Sequence, residues 1–283
     1  MSIRIITDSA SDITRAEMEQ YQVELIPIPL LCGEKTYMDD KTMKTDFFWK
    51  MLMDGENIKT SLPSPDSFLQ IFEEAKEQGD EVICILISSG FSGTYQSAVL
   101  AKSMAEYDKI YLVDSKCAAA AEKMVVFRAC ELRKNGLAVE EIAADLETFR
   151  KRVHLIACLD TLEYLKRGGR LSGAAASIGN MLKLKPIITF SEEGEILVVS
   201  KARGTKKALK EMTGLAMKPE LDEHYPVIPI YAQNDANCRE YMNTLHEAGF
   251  KVNEKVPEGI GATIGTYIGP GGYGIVYVEK EHI

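Results

Sequence analysis

The segment from Ser88 to Tyr95 gathers hydroxyl groups and glycines directly after the apolar run Val82 to Ile87. The run has the length and composition of a buried strand, and the residues after the turn predict a helix that reaches about Met104. The first N–H groups of such a helix are free and carry the positive end of its dipole, at the sheet edge where α/β proteins place their ligands. Each hydroxyl can donate one hydrogen bond, enough to solvate a buried carboxylate without an arginine. The segment therefore predicts a turn that holds an anion.

A second group of hydroxyls lies earlier in the chain, in the loop that carries Thr60, Ser61 and Ser64. Serine and threonine often end strands and cap helices, so capping explains part of both groups. Capping and anion binding are compatible, because the helix that follows the first group still exposes free N–H groups.

Ser92 also admits an alternative interpretation as the nucleophile of an esterase, because α/β hydrolases keep a serine on a sharp strand-to-helix turn. The surrounding Gly90-Phe91-Ser92-Gly93-Thr94 lacks the second glycine two residues after the serine, and no histidine lies in a glycine-rich late loop to act as the base. A Ser92-dependent esterase stays open as one alternative. A binder of a small anionic metabolite is the other.

The glycine-rich segment Gly269 to Gly274 matches the dinucleotide-binding pattern G-x-G-x-x-G. That pattern must open a helix and be followed by an acidic residue about 20 positions on, whereas nine residues remain in this chain. We interpret the glycines as turn formers that let the backbone approach a neighbouring group closely. The four histidines have no metal-binding spacing and the six cysteines form no C-x-x-C motif, so we expect neither a metal, a disulfide nor a cofactor.

The composition of the 283 residues is that of an ordinary globular protein, with 46% apolar and 27% charged residues. The formal net charge of -9 has the wrong sign for a protein whose main partner is nucleic acid. The first residues form a strand pattern without the regions of a signal peptide, and no apolar run approaches the length of a membrane-spanning helix. We expect a cytoplasmic protein that makes at most transient membrane contact, without insertion.

Alternating strand and helix patterns predict an α/β protein made of two α/β domains. In the N-terminal domain, Ile3 to Thr7 is a strand that a helix follows. The run 82–87, the helix after it and the strand Ile110 to Val113 form a parallel β-turn-α-β crossover. These units predict a mostly parallel sheet flanked by helices.

The C-terminal domain begins near the basic, glycine-bearing stretch Lys166 to Arg170. Beyond it, Lys185 to Phe190 and Ile196 to Ser200 predict a hairpin. We predict residues 1–160 as the N-terminal domain and residues 161–283 as the C-terminal α/β domain.

Eight motifs resemble those of the DegV family in their order, and the resemblance spans the whole chain. Each motif alone is weak, but eight in the same order are very hard to obtain by chance. The motifs are Thr7-Asp8-Ser9 with Asp12, Thr60-Ser61 with Pro63-Ser64-Pro65, the stretch 88–98, Asp114-Ser115, the stretch 162–170, Lys185-Pro186-Ile187, Arg203 with Lys207-Ala208-Leu209, and Gly269-Pro270-Gly271.

The resemblance implies a two-domain α/β protein that encloses one long-chain fatty acid in a tunnel between the domains. It also implies that the chain is the binding subunit of a bacterial fatty acid kinase. In that role it presents the carboxylate to a separate ATP-dependent kinase subunit. The chain itself would then catalyse nothing, and the fatty acid would be its ligand in place of a cofactor.

The resemblance further implies which residues hold the carboxylate: Ser61 with Thr60 close by, Ser92, and the backbone at Gly93. The family usually has a histidine where this chain has Tyr267, before Gly-Pro-Gly. A phenol can donate a hydrogen bond to the carboxylate but carries no positive charge near neutral pH, so binding is better supported than kinase coupling.

Two arginines, Arg170 and Arg203, resemble those that the family uses for its kinase partner. A second departure from the family lies at Cys117 to Ala121, where serine and glycine are usual, and the extra methyl groups there predict a narrower or shifted tail tunnel.

Burial of about 15 methylenes of the fatty acid tail at about 0.8 kcal/mol each amounts to about 12 kcal/mol. A hydroxyl bond to a charged group contributes about 1.5 to 3 kcal/mol, so the tail should dominate the affinity and the hydroxyls should set the direction.

Overall fold

The computed structural model describes residues 2–171, 184–252 and 256–281. Contacts divide the chain into two compact units. The N-unit comprises Met1–Lys44 and Asn57–Lys151, and the C-unit comprises Thr45–Glu56 and Arg152–Ile283. These ranges differ in two places from the predicted domains 1–160 and 161–283.

The N-unit contains a parallel sheet, a small antiparallel sheet and five helices among its described residues. Its strands are β1 (Ile3–Asp8), β2 (Val23–Ile26), β3 (Pro29–Cys32), β4 (Lys35–Met38), β5 (Ile58–Thr60), β6 (Glu81–Leu86) and β7 (Ile110–Asp114). Its helices are α1 (Arg15–Tyr21), α3 (Pro65–Gln78), α4 (Thr94–Ala105), α5 (Ala120–Lys134) and α6 (Val139–Phe149). The four-stranded sheet has the order β2-β1-β6-β7 and is parallel throughout, which confirms the predicted parallel sheet.

Strand β6 lies inside this sheet and is covered on both faces. Its apolar residues from Val82 to Leu86 are fully buried, and the core cluster that includes Val82, Cys84 and Leu86 also contains side chains of α3 and α4. Burial on both faces explains why the sequence here is continuously apolar rather than alternating. The predicted crossover β6-α4-β7 is confirmed, because β6 and β7 pair in parallel.

The C-unit is built on a mixed six-stranded sheet in the order β10-β9-β8-β13-β11-β12. Its strands are β8 (Val153–Cys158), β9 (Leu184–Phe190), β10 (Ile196–Arg203), β11 (Ile228–Tyr231), β12 (Glu258–Gly259) and β13 (Tyr273–Val278). Its helices are α2 (Thr45–Met53), α7 (Glu163–Arg167), α8 (Thr205–Ala216), α9 (Ala236–Glu247) and α10 (Ala262–Ile268). The antiparallel pairing of β9 with β10 confirms the predicted hairpin.

Two contacts within the C-unit explain where its range departs from the predicted domains. Strand β8 precedes residue 160 but pairs with β13 and β9, so its backbone belongs to the C-unit sheet. Helix α2 packs on α10, where a methyl group on Gly265 would come within 2.7 Å of the ring of Phe48 and 2.9 Å of the ring of Trp49.

Apolar stripes in the sequence also predict α3, α6, α8 and α9. Helices α2, α5, α7 and α10 have no counterpart among the predicted elements. All seven residues of α10 are buried, and the first seven residues of α5 are buried too, including Glu122 and Lys123. A helix that is covered on all sides shows no apolar stripe, so its period is not visible in the sequence. None of the helices in the described part of the chain is long and apolar enough to cross a membrane.

Candidate functional site

The turn Ser88 to Thr94 connects the end of β6 to the start of α4, as the sequence predicts. Ser88 is fully buried and organises the turn, because its carbonyl accepts the N–H groups of Phe91 at 3.0 Å and Ser92 at 2.9 Å. Its hydroxyl accepts the N–H of Gly90 at 3.1 Å. Ser88 therefore stabilises the turn. The sequence pattern had instead predicted that its hydroxyl is available to an anion.

The hydroxyls of Ser92 and Thr94 lie 2.9 Å apart at the start of α4. The Ser92 Oγ also accepts the N–H of Thr94 at 3.3 Å. When Thr94 donates to Ser92, the Ser92 oxygen has accepted two hydrogen bonds and its own proton is available to a further acceptor. Ser92 is half-buried, so a guest on the solvent side of the turn can reach that proton.

Three backbone N–H groups at this helix start have no hydrogen-bond acceptor in the described part of the chain. Every N–H from Ile87 to Ser92 has an acceptor, and so has the N–H of Thr94. Among the described residues no group accepts the N–H of Gly93, Tyr95 or Gln96, while the N–H of Ser97 bonds to the carbonyl of Gly93 at 3.1 Å. Free N–H groups at the positive end of a 12-residue helix form an anion-binding arrangement.

The Thr60-Ser61 loop lies beside this turn in the N-unit. Thr60 ends β5 and pairs with Leu30, and the N–H of Ser61 donates to the carbonyl of Pro29 at 2.9 Å. A methyl group on Gly93 would come within 3.0 Å of the Cδ1 atom of Leu62, the residue after Ser61. The structure thus brings Thr60, Ser61, Ser92 and Gly93, all predicted to hold the carboxylate, into neighbouring segments.

Tyr267 and Arg170 meet within the C-unit. The guanidinium carbon of Arg170 lies 4.9 Å from the centre of the Tyr267 ring, and its Nη1 donates to the carbonyl of Gly168 at 2.7 Å. Tyr267 is only 4% exposed, and a methyl group on Gly168 would come within 2.4 Å of its Cδ1 atom. Arg203, the other predicted partner contact, is exposed at the end of β10 and pairs with Leu184 in the hairpin. Contact of Tyr267 with a ligand carboxylate stays a prediction.

The glycines at 269 and 271 have left-handed backbone angles, with φ of +69° and +82°. A methyl group on Gly269 would lie 2.2 Å from the ring of Tyr164, and one on Gly271 would lie 2.4 Å from the carboxylate of Asp160. Both glycines are required by the turn and by close approach of these side chains, which confirms their interpretation as turn formers.

Two carboxylates next to the Ser88 to Thr94 turn were not predicted as site residues. Asp8 is fully buried and accepts the N–H groups of Ala10 at 2.8 Å and Ile87 at 2.9 Å. Burial raises the pKa of Asp8 to about 6, although these hydrogen bonds oppose the rise. In the sequence, Asp8 and Asp114 each end a strand and each belong to one of the eight motifs that carry the family resemblance, but no motif assigns them a role.

Asp114 accepts the N–H of Ser89 at 3.1 Å and pairs with the ammonium of Lys116 at 2.7 Å. Burial acts to raise the pKa of Asp114, but the hydrogen bonds from Lys116 and Ser89 outweigh burial and hold that pKa below its ordinary value. Lys116 also donates to the hydroxyl of Ser89 at 3.1 Å.

The segment Cys117 to Ala121 is buried at the start of α5. Ala119 has φ of 57° and ψ of -147°, a combination that glycine normally occupies, and its N–H donates to the carbonyl of Ala10 at 2.7 Å. The predicted narrowing of a tail tunnel by this segment stays a prediction.

The geometry provides no support for a nucleophilic Ser92 within the N-unit. Residues 1–153 contain no histidine, and the hydrogen-bond partner of the Ser92 hydroxyl is Thr94. In the described part of the chain, no group of three or more histidine, cysteine or acidic side chains could hold a metal ion.

Comparisons with known proteins agree over the whole chain. A family model described as "Uncharacterised protein, DegV family" matches residues 2–280. The structure of DegV from Bacillus subtilis, described as a fatty acid binding protein, is 33% identical, has a TM-score of 0.84, and the match covers 99% of this chain and 100% of that one. A fatty-acid-binding DegV family protein from Thermus thermophilus is 30% identical with a TM-score of 0.87, and the coverage is again 99% and 100%. A stearic acid-binding protein from Eubacterium ventriosum is 26% identical with a TM-score of 0.84, with 99% of each chain covered.

Proposed function

The chain belongs to the DegV family, and we propose that it binds a long-chain fatty acid whose carboxylate is held at the turn Ser88 to Thr94. Proteins of this family bind fatty acids, and solved relatives with the same fold include a stearic acid-binding protein. The two units of this chain each form an α/β fold. We further propose that the acyl chain occupies a tunnel between the two domains, as the family resemblance implies.

The observation that carries the proposal is the set of unsatisfied donors at the start of α4. The N–H groups of Gly93, Tyr95 and Gln96 have no acceptor among the described residues, and the Ser92 hydroxyl beside them has a proton to donate when Thr94 bonds to it. A carboxylate is the guest that such donors stabilise without a neighbouring cation, because several hydrogen bonds spread its charge. Ser61 and Thr60 lie in the adjoining loop, beside Gly93.

Lipid extraction of the purified protein followed by mass spectrometry tests the proposal directly. We expect an acyl chain in the extract, and a thermal midpoint that rises with the chain length of added fatty acids because the tail supplies most of the affinity. An extract without any fatty acid, combined with no response to chain length, would refute fatty acid binding. Release of a different small anion in that experiment would favour the alternative of a metabolite binder.

Substitution of Ser92 tests the carboxylate site. Ser92→Ala should weaken the binding of stearic acid by about tenfold or more, since one hydroxyl bond to a charged group is lost. Ser103→Ala is the matched control, because Ser103 lies exposed on the same helix, beyond its first turn, and should leave the affinity unchanged. Equal affinities of the Ser92→Ala protein and the wild type would place the head group elsewhere.

We also propose that the chain catalyses nothing by itself and presents the fatty acid to a separate ATP-dependent kinase subunit. Arg203 is exposed. The guanidinium of Arg170 lies over the ring of Tyr267 and donates to the carbonyl of Gly168. Both side chains carry a positive charge that would attract an acidic partner surface. Acyl phosphate should form only when the loaded protein, ATP and a bacterial fatty acid kinase subunit are combined. Arg203→Ala should slow that reaction and leave the affinity for stearic acid intact. Absence of acyl phosphate with the complete mixture, or ester hydrolysis that Ser92→Ala abolishes, would contradict this part.

A further inference from the structure

Strand β6, which leads into the turn Ser88 to Thr94, has a strand ending in aspartate on each side. In the order β2-β1-β6-β7, β1 ends at Asp8 and β7 ends at Asp114. Thr7 pairs with Ile85 and Asp114 pairs with Leu86, so both carboxylates are level with the end of β6.

Three consecutive N–H groups at the start of the turn are fixed by these two strands and the loop after β7. The N–H of Ile87 donates to Asp8 Oδ2 at 2.9 Å, and the N–H of Ser89 donates to Asp114 Oδ1 at 3.1 Å. Between them, the N–H of Ser88 donates to the carbonyl of Cys117 at 2.9 Å. Because Ser88 in turn accepts the N–H groups of Gly90, Phe91 and Ser92, its position sets where Ser92 and the helix start lie.

Neither carboxylate can itself attract the proposed ligand. Asp8 is fully buried, and its two oxygens accept the N–H groups of Ala10 and Ile87. A negative charge beside an anion site opposes binding by electrostatic repulsion. Lys116 offsets that charge at Asp114, with its ammonium 2.7 Å from the carboxylate. The contacts through which the two groups can act on the site are therefore the hydrogen bonds to the backbone that they hold.

We propose that Asp8 and Asp114 are positioning residues that hold the Ser88 to Thr94 turn in the geometry that distinguishes a carboxylate from an uncharged head group. The inference rests on the proposed fatty acid binding at this turn. Charge-assisted hydrogen bonds to backbone N–H groups are short and directional, so they fix the turn more firmly than a neutral acceptor does. A prearranged set of donors loses little entropy when the ligand binds.

The test compares the affinities for stearic acid and for stearyl alcohol, which share a tail and differ in the head group. In Asp8→Asn and in Asp114→Asn, the ratio of acid to alcohol affinity should fall by about tenfold, because the head-group bonds lose their alignment. The alcohol affinity should stay within about twofold of the wild type, since the tail contacts are unchanged. A variant that is merely less stable would lower both affinities together.

Glu122→Gln is the matched control. Glu122 is a fully buried carboxyl in the same unit, but it bonds to the hydroxyl of Thr7 at 3.2 Å and not to the turn. This variant should keep the wild-type ratio of acid to alcohol affinity. Circular dichroism establishes that each variant is folded, and if Asp8→Asn does not fold, the less buried Asp114→Asn carries the test.

An unchanged ratio in folded Asp8→Asn and Asp114→Asn proteins, or an equal fall of the ratio in Glu122→Gln, would overturn the inference while leaving fatty acid binding intact. A wild type that binds neither probe would instead refute the proposed function. A wild type that binds acid and alcohol equally would overturn both the head-group site and the role of the two aspartates.

Discussion

Acidification from pH 7 to pH 5 should stabilise the N-unit, because Asp8 binds a proton more readily in the folded protein than in the unfolded chain. Burial raises the pKa of Asp8 from its ordinary 3.8 to about 6. The folded state therefore holds more protons between these two values, and its stability falls as the pH rises through 6. Burial, followed by the nearby charge of Asp8, also raises the pKa of Glu122 well above its ordinary value, which acts in the same direction.

The magnitude for Asp8 follows from the two pKa values. A full shift of about two units corresponds to about 3 kcal/mol in the limit of low pH. Between pH 7 and pH 5 the part realised is about 1.3 kcal/mol, since at pH 5 the folded carboxyl is mostly protonated and the unfolded one mostly ionised. For a unit of this size, such a gain raises the midpoint of thermal unfolding by about 3 to 6 °C.

Thermal unfolding followed by circular dichroism at pH 7, 6 and 5 measures this gain in the wild type and in Asp8→Asn. Asparagine does not titrate, so the variant should lose about 1.3 kcal/mol of the pH-dependent gain. The histidines of the chain all lie after residue 153, outside the N-unit. They are the same in both proteins, so their titration cancels in the difference. The reasoning is refuted if wild type and variant gain equal stability on acidification, or if the wild type is destabilised between pH 7 and pH 5.

Three substitutions test other parts of the structure. Ala119→Gly should raise the free energy of unfolding by about 1 kcal/mol, because glycine relieves the strained backbone at φ 57°; chemical denaturation measures it, and a less stable variant would contradict the strain. Gly93→Ala should weaken stearic acid binding by about tenfold, because the added methyl group displaces Leu62, 3.0 Å away; calorimetry that finds unchanged affinity would rule this out. Gly271→Ala should destabilise the protein by about 2 to 4 kcal/mol, through left-handed strain and a clash with Asp160, and an unchanged unfolding midpoint would show that the turn adapts.

Local pattern predicted the elements that carry the site. The apolar run before Ser88 indicated a buried strand, and β6 is that strand, followed by α4 from Thr94. The same reasoning identified the β9-β10 hairpin and the turn-forming glycines before β13. These features depend on residues close together in sequence, so periodicity and turn chemistry are sufficient to find them. Helices α5 and α10 were missed because burial on all sides removes that periodicity.

The order of motifs along the chain was sufficient to indicate the family. That a fatty carboxylate is held by Ser92 and Ser61 is what the resemblance implies, and it stays a prediction. Only the tertiary structure decided which groups hold the turn in place. Asp8 bonds to Ile87 across 79 positions of sequence, and Leu62 meets Gly93 because β5 and α4 bring their loops together. Such contacts depend on strand order and register, which no local pattern contains. The sequence thus determined where an anion could be held, and the sheet determined how its donors are aligned.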